Sequence, residues 1–444
     1  MSKKTNILFF TLLFALCANS VFSQSNFHFE NPKEIKDKLR FEFIKGLVIL
    51  PVKINGVELS FLLDTGVEKT ILFSLEEKDS IDLNDAVSID LRGLGKGGSA
   101  VAFKSDNNHM EIGKAVSTDF SLFVIFDKTM NFSPRLGIPV HGIIGYDFFK
   151  NFVVEISYDN EFIKFYDPKH YDEKCRNCDT EPLFFYNNKP YLKTEVKVAD
   201  QTINITLLVD SGAGDALWLF PNEKIKVPSP NFQDFLGYGL SGSVYGKRSK
   251  ISFFSFGKYE FEDITTAFPD SSSVGVVKPY LLKDGLIGAE ILKRFDLIID
   301  YPDQRLLFEP NKFFDDPFYY DLSGLILQYD GMRVVREYEQ VNVKEFAEYG
   351  SNKDRRNLMA SYSVKFNLRP RLVIAEIRPA SPAFKAGLKK GDMILRVNGK
   401  RAHQYTLTEL SNLFSSEVGK RIKIKVEREG MGTLVKKFYL EKMM

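Results

Sequence analysis

The chain has 444 residues, enough for two to four domains, and its apolar fraction of 44% suits an ordinary globular protein. Its 60 Lys and Arg against 58 Asp and Glu leave a formal charge of +2 with no long run of one sign, which argues against nucleic acid or an anionic membrane surface as partner. Forty Phe and 19 Tyr favour strands and large aromatic cores.

In chain order, Lys3 and Lys4 precede an apolar run from Ile7 to Ala18, and Val21-Phe22-Ser23 suits cleavage before Gln24. Residues 1–23 therefore read as a signal peptide, with a retained anchor as the alternative, because the run is short for a bilayer span. The expectation is an exported protein, periplasmic or secreted, with membrane association left open. Next come strands GLVILPVKI and VELSFLLD, turning at Asn55-Gly56. A second unit repeats the plan with YLKTEVKV and TINITLLVD. Each unit then carries one short helix, DFFKNF or AEILKRF, and a closing hairpin at Asp159-Asn160 or Pro302-Asp303. Charged residues 169–182 read as a linker. Within it, Cys175 and Cys178 suit a local disulfide in an exported protein. Zinc would need two further ligands that the spacing does not offer, so no metal is expected.

Two tripeptides carry the chemistry: Asp64-Thr65-Gly66 and Asp210-Ser211-Gly212, 146 residues apart, each at the end of an apolar strand. Further pairs follow at a nearly constant offset. Gly93-Leu94-Gly95 matches Gly237-Tyr238-Gly239, and HGIIGYDFFKNF (141–152) matches DGLIGAEILKRF (284–295). Tyr158 and Phe165 match Tyr301 and Phe308. A repeat of this length implies two similar lobes. Two carboxylates brought together cannot both ionise easily, so one proton is shared. The ionised member then takes a proton from water and the protonated member donates to a carbonyl, which suits peptide hydrolysis. The hydroxyls of Thr65 and Ser211 are placed to bond across the axis, and Gly66 and Gly212 permit close passage of the opposite lobe.

The clusters Gly93, Gly95, Gly98 and Gly237, Gly239, Gly242 each spell GxGxxG. A dinucleotide site needs a helix next, whereas SAVAFK and SVYGKR read as strands, so mobile hairpins are expected instead. No HExxH or GxSxG occurs, and His141, Trp218 and Glu68 are read as a loop residue, a core residue, and either a dyad perturber or a solvent-facing charge.

Residues 40–312 resemble the aspartic proteases of the pepsin and retropepsin type. The resemblance rests on the paired D-[ST]-G loops and the apolar-apolar-Gly segments Ile143-Ile144-Gly145 and Leu286-Ile287-Gly288. It implies lobes at 40–168 and 183–312, an Asp64/Asp210 dyad, and a flap over each glycine cluster. Val67-Glu68 after the first motif departs from the family's preference for a small residue. Farther on, SPAFKAGLKKGDMILRVNGK resembles a bacterial PDZ domain within 316–444. That likeness implies a carboxylate-binding loop and groove strand at Ser323, Gly324, Leu325, Ile326 and Leu327, with 330–370 as an insertion of unassigned role. The expected fold is mainly β: two pseudo-symmetric acid-protease lobes of β-barrel type and a C-terminal α+β PDZ domain. The expected function is an exported, monomeric aspartic endopeptidase without cofactor, whose PDZ domain binds a substrate or partner peptide or C-terminus. The alternative is a non-catalytic peptide-binding or scaffold protein on the same fold.

Overall fold

A two-residue turn sets the register of the first lobe. Asn55 and Gly56 both take left-handed backbone, φ 49° and 84°, which matches the twist of the strands they join. Leu47–Ile54 and Val57–Leu63 then pair from Ile54↔Val57 to Ile49↔Leu62. Their alternation buries Val52, Ile54, Leu59 and Phe61. Gly142–Ile144 lies parallel to Phe61–Leu63 and antiparallel to Ile71–Leu72. In the second lobe Gly285–Ile287 lies parallel to Leu207–Val209 and antiparallel to Leu217–Leu219.

The structure, a computed structural model, describes residues 26–75, 80–91, 100–125, 131–172, 175, 177–198, 201–239, 242–274, 284–318, 320–345 and 358–444. The expected signal peptide and the cluster Gly93, Gly95 and Gly98 lie outside them. No helix among the described residues is long and apolar enough to cross a membrane.

Between the lobes runs a six-stranded sheet to which both contribute. Val153–Ile156 of the first lobe and Leu297–Asp300 of the second form its central antiparallel pair. Lys36–Arg40 and Phe162–Tyr166 extend it on one side, Arg305–Pro310 and Asp179–Pro182 on the other. The last four residues of the expected linker are therefore a strand. Their alternating half-buried and exposed residues (Asp, Thr, Glu, Pro) suit a sheet edge, where polar side chains and proline are tolerated. Cys175 and Cys178 just before it are disulfide-bonded, with Cα atoms 5.5 Å apart. Aromatic side chains fill the core behind the sheet, among them Phe148, Phe152 and Phe165 on one side and Phe256, Phe295 and Phe308 on the other.

The C-terminal domain is a separate six-stranded sheet with its own core. Its edge strand, Leu325–Glu345, pairs with Leu358–Ile377 from Leu325↔Ile377 to Glu345↔Leu358. Residues 330–370, unassigned from sequence, are thus mostly the two arms of a long antiparallel ribbon. A one-turn helix, Pro382–Lys385, is capped by Ser381, whose Oγ accepts the Phe384 N–H. The longer helix, Leu407–Phe414, starts in a capping box between Thr406 and Glu409. It buries Leu407, Leu410 and Phe414 against Leu325, Leu327 and the sheet.

Candidate active site

Each D-[ST]-G loop leaves an apolar strand where the inserted Gly-apolar-apolar strand takes over its hydrogen bonds. The Asp64 N–H donates to the Ile144 carbonyl at 2.8 Å, and the Asp210 N–H to the Ile287 carbonyl at 3.0 Å. Gly145 and Gly288 follow those carbonyls and pack directly behind the loops. A Cβ on Gly145 would stand 2.1 Å from the Asp64 carbonyl oxygen, and one on Gly288 2.3 Å from that of Asp215. Neither position admits a side chain without moving a loop.

The two loops grip each other reciprocally. Thr65 Oγ1 donates to the Val209 carbonyl at 2.7 Å and accepts the Ser211 N–H at 3.0 Å. Ser211 Oγ donates to the Leu63 carbonyl at 3.1 Å and accepts the Thr65 N–H at 3.1 Å. All four bonds are buried, so each side chain satisfies one donor and one acceptor of the other lobe. Replacing Thr65 with Ala strands the Val209 carbonyl and the Ser211 N–H together. The expected cost is about 3 kcal/mol, from ~1–3 kcal/mol per orphaned buried group. Denaturant unfolding measures it, and a loss no larger than that of an exposed Thr→Ala change contradicts the grip.

Held this way, the carboxyls of Asp64 and Asp210 meet in hydrogen-bond contact. Each also accepts the N–H of its own loop glycine, Gly66 to Asp64 Oδ1 at 2.7 Å and Gly212 to Asp210 Oδ1 at 3.2 Å. Asp64 is only 7% exposed, whereas Asp210 is half-buried. Burial first, and the Asp210 carboxylate second, hold the Asp64 carboxyl well above the usual range, against the opposing Gly66 N–H and Lys189 charge. A carboxyl raised in this way binds its proton more tightly in the folded state. The stability it contributes is complete below the unfolded value near 3.8 and is lost as pH rises through the folded value. Asp64→Asn, which cannot ionise, should therefore raise Tm near neutral pH and give no such gain at about pH 3. An equal difference at both pH values contradicts the assignment.

Several neighbours carry no motif of their own. Tyr301 is buried beneath the pair and donates its hydroxyl to the Thr65 carbonyl at 3.3 Å. Burial, Asp64, Tyr146 and Asp210 all raise its pKa well above normal, so it stays a donor. Asp215, three residues past Gly212, accepts from Trp218 Nε1 at 2.7 Å and from Arg248 at 2.9 Å. Trp218 is thus half-buried with a polar partner, not simply core, because its indole N–H points at a carboxylate the loop brings near. His141 is buried, and its Nδ1 accepts the Ser60 N–H at 2.9 Å. Asp284, its counterpart in the repeat, accepts the Thr206 N–H at 2.9 Å, so both residues close the loop before the inserted strand. Glu68 lies at the rim, 3.6 Å from Lys69.

Asp215 and Trp218 meet a hairpin formed by Asn231–Gly239 and Gly242–Phe256, through the Arg248–Asp215 bond and the packing of Trp218 against Leu236 and Val244. Gly237 faces Val244 and Gly239 faces Gly242, with a bulge between Phe235 and Gly237. Gly237 (φ 148°) and Gly242 (φ 107°) use backbone that side-chain-bearing residues rarely adopt. In the first lobe Val87–Leu91 pairs with Lys104–Ala100, and the glycine cluster between them is outside the described residues.

Residues 50–148 match the aspartyl protease family model, and residues 373–428 match a PDZ domain model. No curated protein matches. Among solved structures, the chain is similar to the aspartic proteinase from Irpex lacteus at 14% identity and a TM-score of 0.40, over 63% of this chain and 99% of that one. The chain thus joins an aspartyl protease-like region to a C-terminal PDZ domain.

Proposed function

We propose that the chain is a single-chain aspartic endopeptidase, exported from the cytoplasm after loss of residues 1–23, with lobes derived from one duplicated unit. The observation that carries this reading is the contact of Asp64 with Asp210, held from both sides by the Thr65 and Ser211 exchange. An extended substrate lies under the hairpin of residues 231–256 and pairs with it as an added strand. A water between the carboxyls attacks the scissile carbonyl carbon. Its proton passes to Asp210, while Asp64, whose buried carboxyl keeps its proton, donates to the carbonyl oxygen. The resulting gem-diol breaks its C–N bond as a proton moves to the leaving nitrogen, and the pair returns to one shared proton. No covalent intermediate and no metal enters these steps.

The PDZ domain, on this reading, binds a peptide of the substrate or of a partner beside Ser323–Leu327. The alternative, a binding protein without catalysis, has no observation in its favour, since both carboxyls and both hydroxyls are in place.

The test is cleavage of an unbiased peptide mixture over acid to neutral pH by wild type, Asp64→Asn and Asp210→Asn. Each substitution should lower kcat/KM by at least about 10³-fold while leaving the fold intact, since it removes an acid or base that must act in concert. Folded wild type that binds peptides without cutting them sinks the reading in favour of the binding protein.

A further inference from the structure

The outer face of the C-terminal sheet sets cations against cations. On the strand Arg421–Arg428, Ile422, Ile424 and Val426 are buried, so Arg421, Lys423 and Lys425 alternate outward. A bulge at Leu395 keeps Ile394 and Val397 both buried and turns Arg396 to the same outer face. In register, Arg401 stands opposite Arg396, Arg396 opposite Lys425, and Lys423 opposite Lys437. Like charges directly opposite one another weaken a sheet. Other cations of this domain are matched: Arg371 with Asp330, Arg378 with Asp234, Lys390 with Glu376 and Arg428 with Asp392. Among the described residues, no carboxylate comes within ion-pair distance of Arg396, Arg401, Lys423, Lys425 or Lys437. Glu427, the acid on this face of the strand, stands opposite Met393, past the row of cations.

The ribbon adds two more cations and an apolar surface. Arg333 and Arg336 join Arg396, Arg401 and Lys425 around a cleft of about 230 Å³ whose walls contain no Asp or Glu. Arg401 ties ribbon to sheet, donating from Nη1 to the Arg336 carbonyl at 3.3 Å. Val334 and Pro370 line the same cleft. The pairs Met332↔Pro370, Val334↔Leu368 and Arg336↔Phe366 place these residues together on one face of the ribbon. On that face Phe366 and Leu368 are 63% and 64% exposed, and Met332 and Val334 are exposed beside them. The sheet shows the same mixture, with Val435 opposite Lys425 and Tyr439 opposite Arg421, both exposed. Large apolar side chains grouped in water mark an interaction surface.

We infer that this face of the C-terminal domain docks on an anionic lipid surface, its cations meeting headgroup phosphates while Val334, Phe366 and Leu368 enter the interface. An acidic protein segment would match the cations and leave the apolar side chains in water. An apolar protein partner would bury the cations unpaired, at a high desolvation cost. A lipid interface offers phosphate and hydrocarbon within one layer, and so satisfies both. The formal charge of +2 does not reveal this face, because folding gathers its cations from positions 333 to 437 while the acids that balance them lie elsewhere. The inference does not rest on the protease reading.

The test uses the chain from Gln24 onward, which holds every described residue and omits the apolar run 7–18. Sedimentation with vesicles compares pure phosphatidylcholine with phosphatidylcholine containing phosphatidylglycerol, and polyglutamate serves as a soluble polyanion. Wild type should bind the anionic vesicles and not the neutral ones, and added salt should weaken that binding. Each cation at an anionic surface is worth about fivefold in affinity, so Arg396→Gln with Lys425→Gln should weaken it about 25-fold. Phe366→Ser with Leu368→Ser should weaken it about tenfold, and polyglutamate should bind far less tightly than the vesicles. Thermal melts accompany both variants. Arg396→Gln with Lys425→Gln should not lower Tm, because it removes a like-charge pair. The inference fails if wild type treats the two vesicles alike, or if either double variant, folded, binds the anionic vesicles as wild type does. It fails too if polyglutamate binds as tightly as the anionic vesicles, which assigns the face to an acidic protein.

Discussion

Gly212→Ala is expected to remove nearly all turnover from a folded protein. A Cβ at this position would stand 2.1 Å from Asp64 Oδ2 and 2.3 Å from its Cγ, far inside contact distance. The groups it would strike are not the free end of a flexible chain. Asp64 is buried, and its other oxygen is held by the Gly66 N–H. Relief must come from moving one carboxyl or spreading the two loops, which the four-bond grip of Thr65 and Ser211 resists. A displacement of about 1 Å at reacting groups costs about 10²-fold in rate, and here both acid and base lose register. The equivalent Gly66→Ala is expected to be milder, because its Cβ would meet Asp210 at 2.9–3.0 Å, and Asp210 is the more open carboxyl. Measured kcat/KM beside a thermal melt checks both. Gly212→Ala with wild-type turnover means that the pair does not do the chemistry.

Asp234→Ala is expected to be strongly destabilising. Its carboxylate is 5% exposed and holds two buried guanidiniums, Arg248 and Arg378, one from its own hairpin and one from the C-terminal domain. Breaking a buried ion pair from one side leaves the partner's desolvation unmet and costs about 3–5 kcal/mol. Arg248 keeps Asp215 and Arg378 keeps the Asp321 carbonyl, which puts the expected loss near the lower end, about 3 kcal/mol. Urea unfolding followed in the hairpin and in the C-terminal domain should show both regions shifting together. A shift confined to the hairpin, or one below about 0.5 kcal/mol, contradicts the pair's role as the joint between domains.

What the sequence revealed is what local periodicity encodes. Asp64-Thr65-Gly66 and Asp210-Ser211-Gly212 each follow an alternating strand, and Ile143-Ile144-Gly145 and Leu286-Ile287-Gly288 stand at a matching offset. The paired loops and the strands behind them could be read from those marks. The partners of the site could not. Asp234 and Arg378 are 144 residues apart and meet only because one domain docks on the other's hairpin. Asp215 and Arg248 likewise carry no pattern, and Tyr301 was visible only as a repeat match, not as the donor beneath Thr65. The ribbon of Leu325–Glu345 and Leu358–Ile377 escaped for another reason. Met332, Val334, Phe366 and Leu368 are all exposed, so the burial that makes a strand's period readable is missing there. Residues 179–182 looked like linker because an edge strand needs little apolar content.

The most direct measurement of the central claim is the binding of a statine-type inhibitor, whose hydroxyl takes the place of the attacking water between two carboxyls. The account predicts that one inhibitor binds per chain at concentrations where the protein is monomeric, stops peptide cleavage completely, and loses its affinity in Asp210→Asn. Cleavage that proceeds in the inhibitor's presence, or that survives in Asp210→Asn, would place the chemistry elsewhere in the chain.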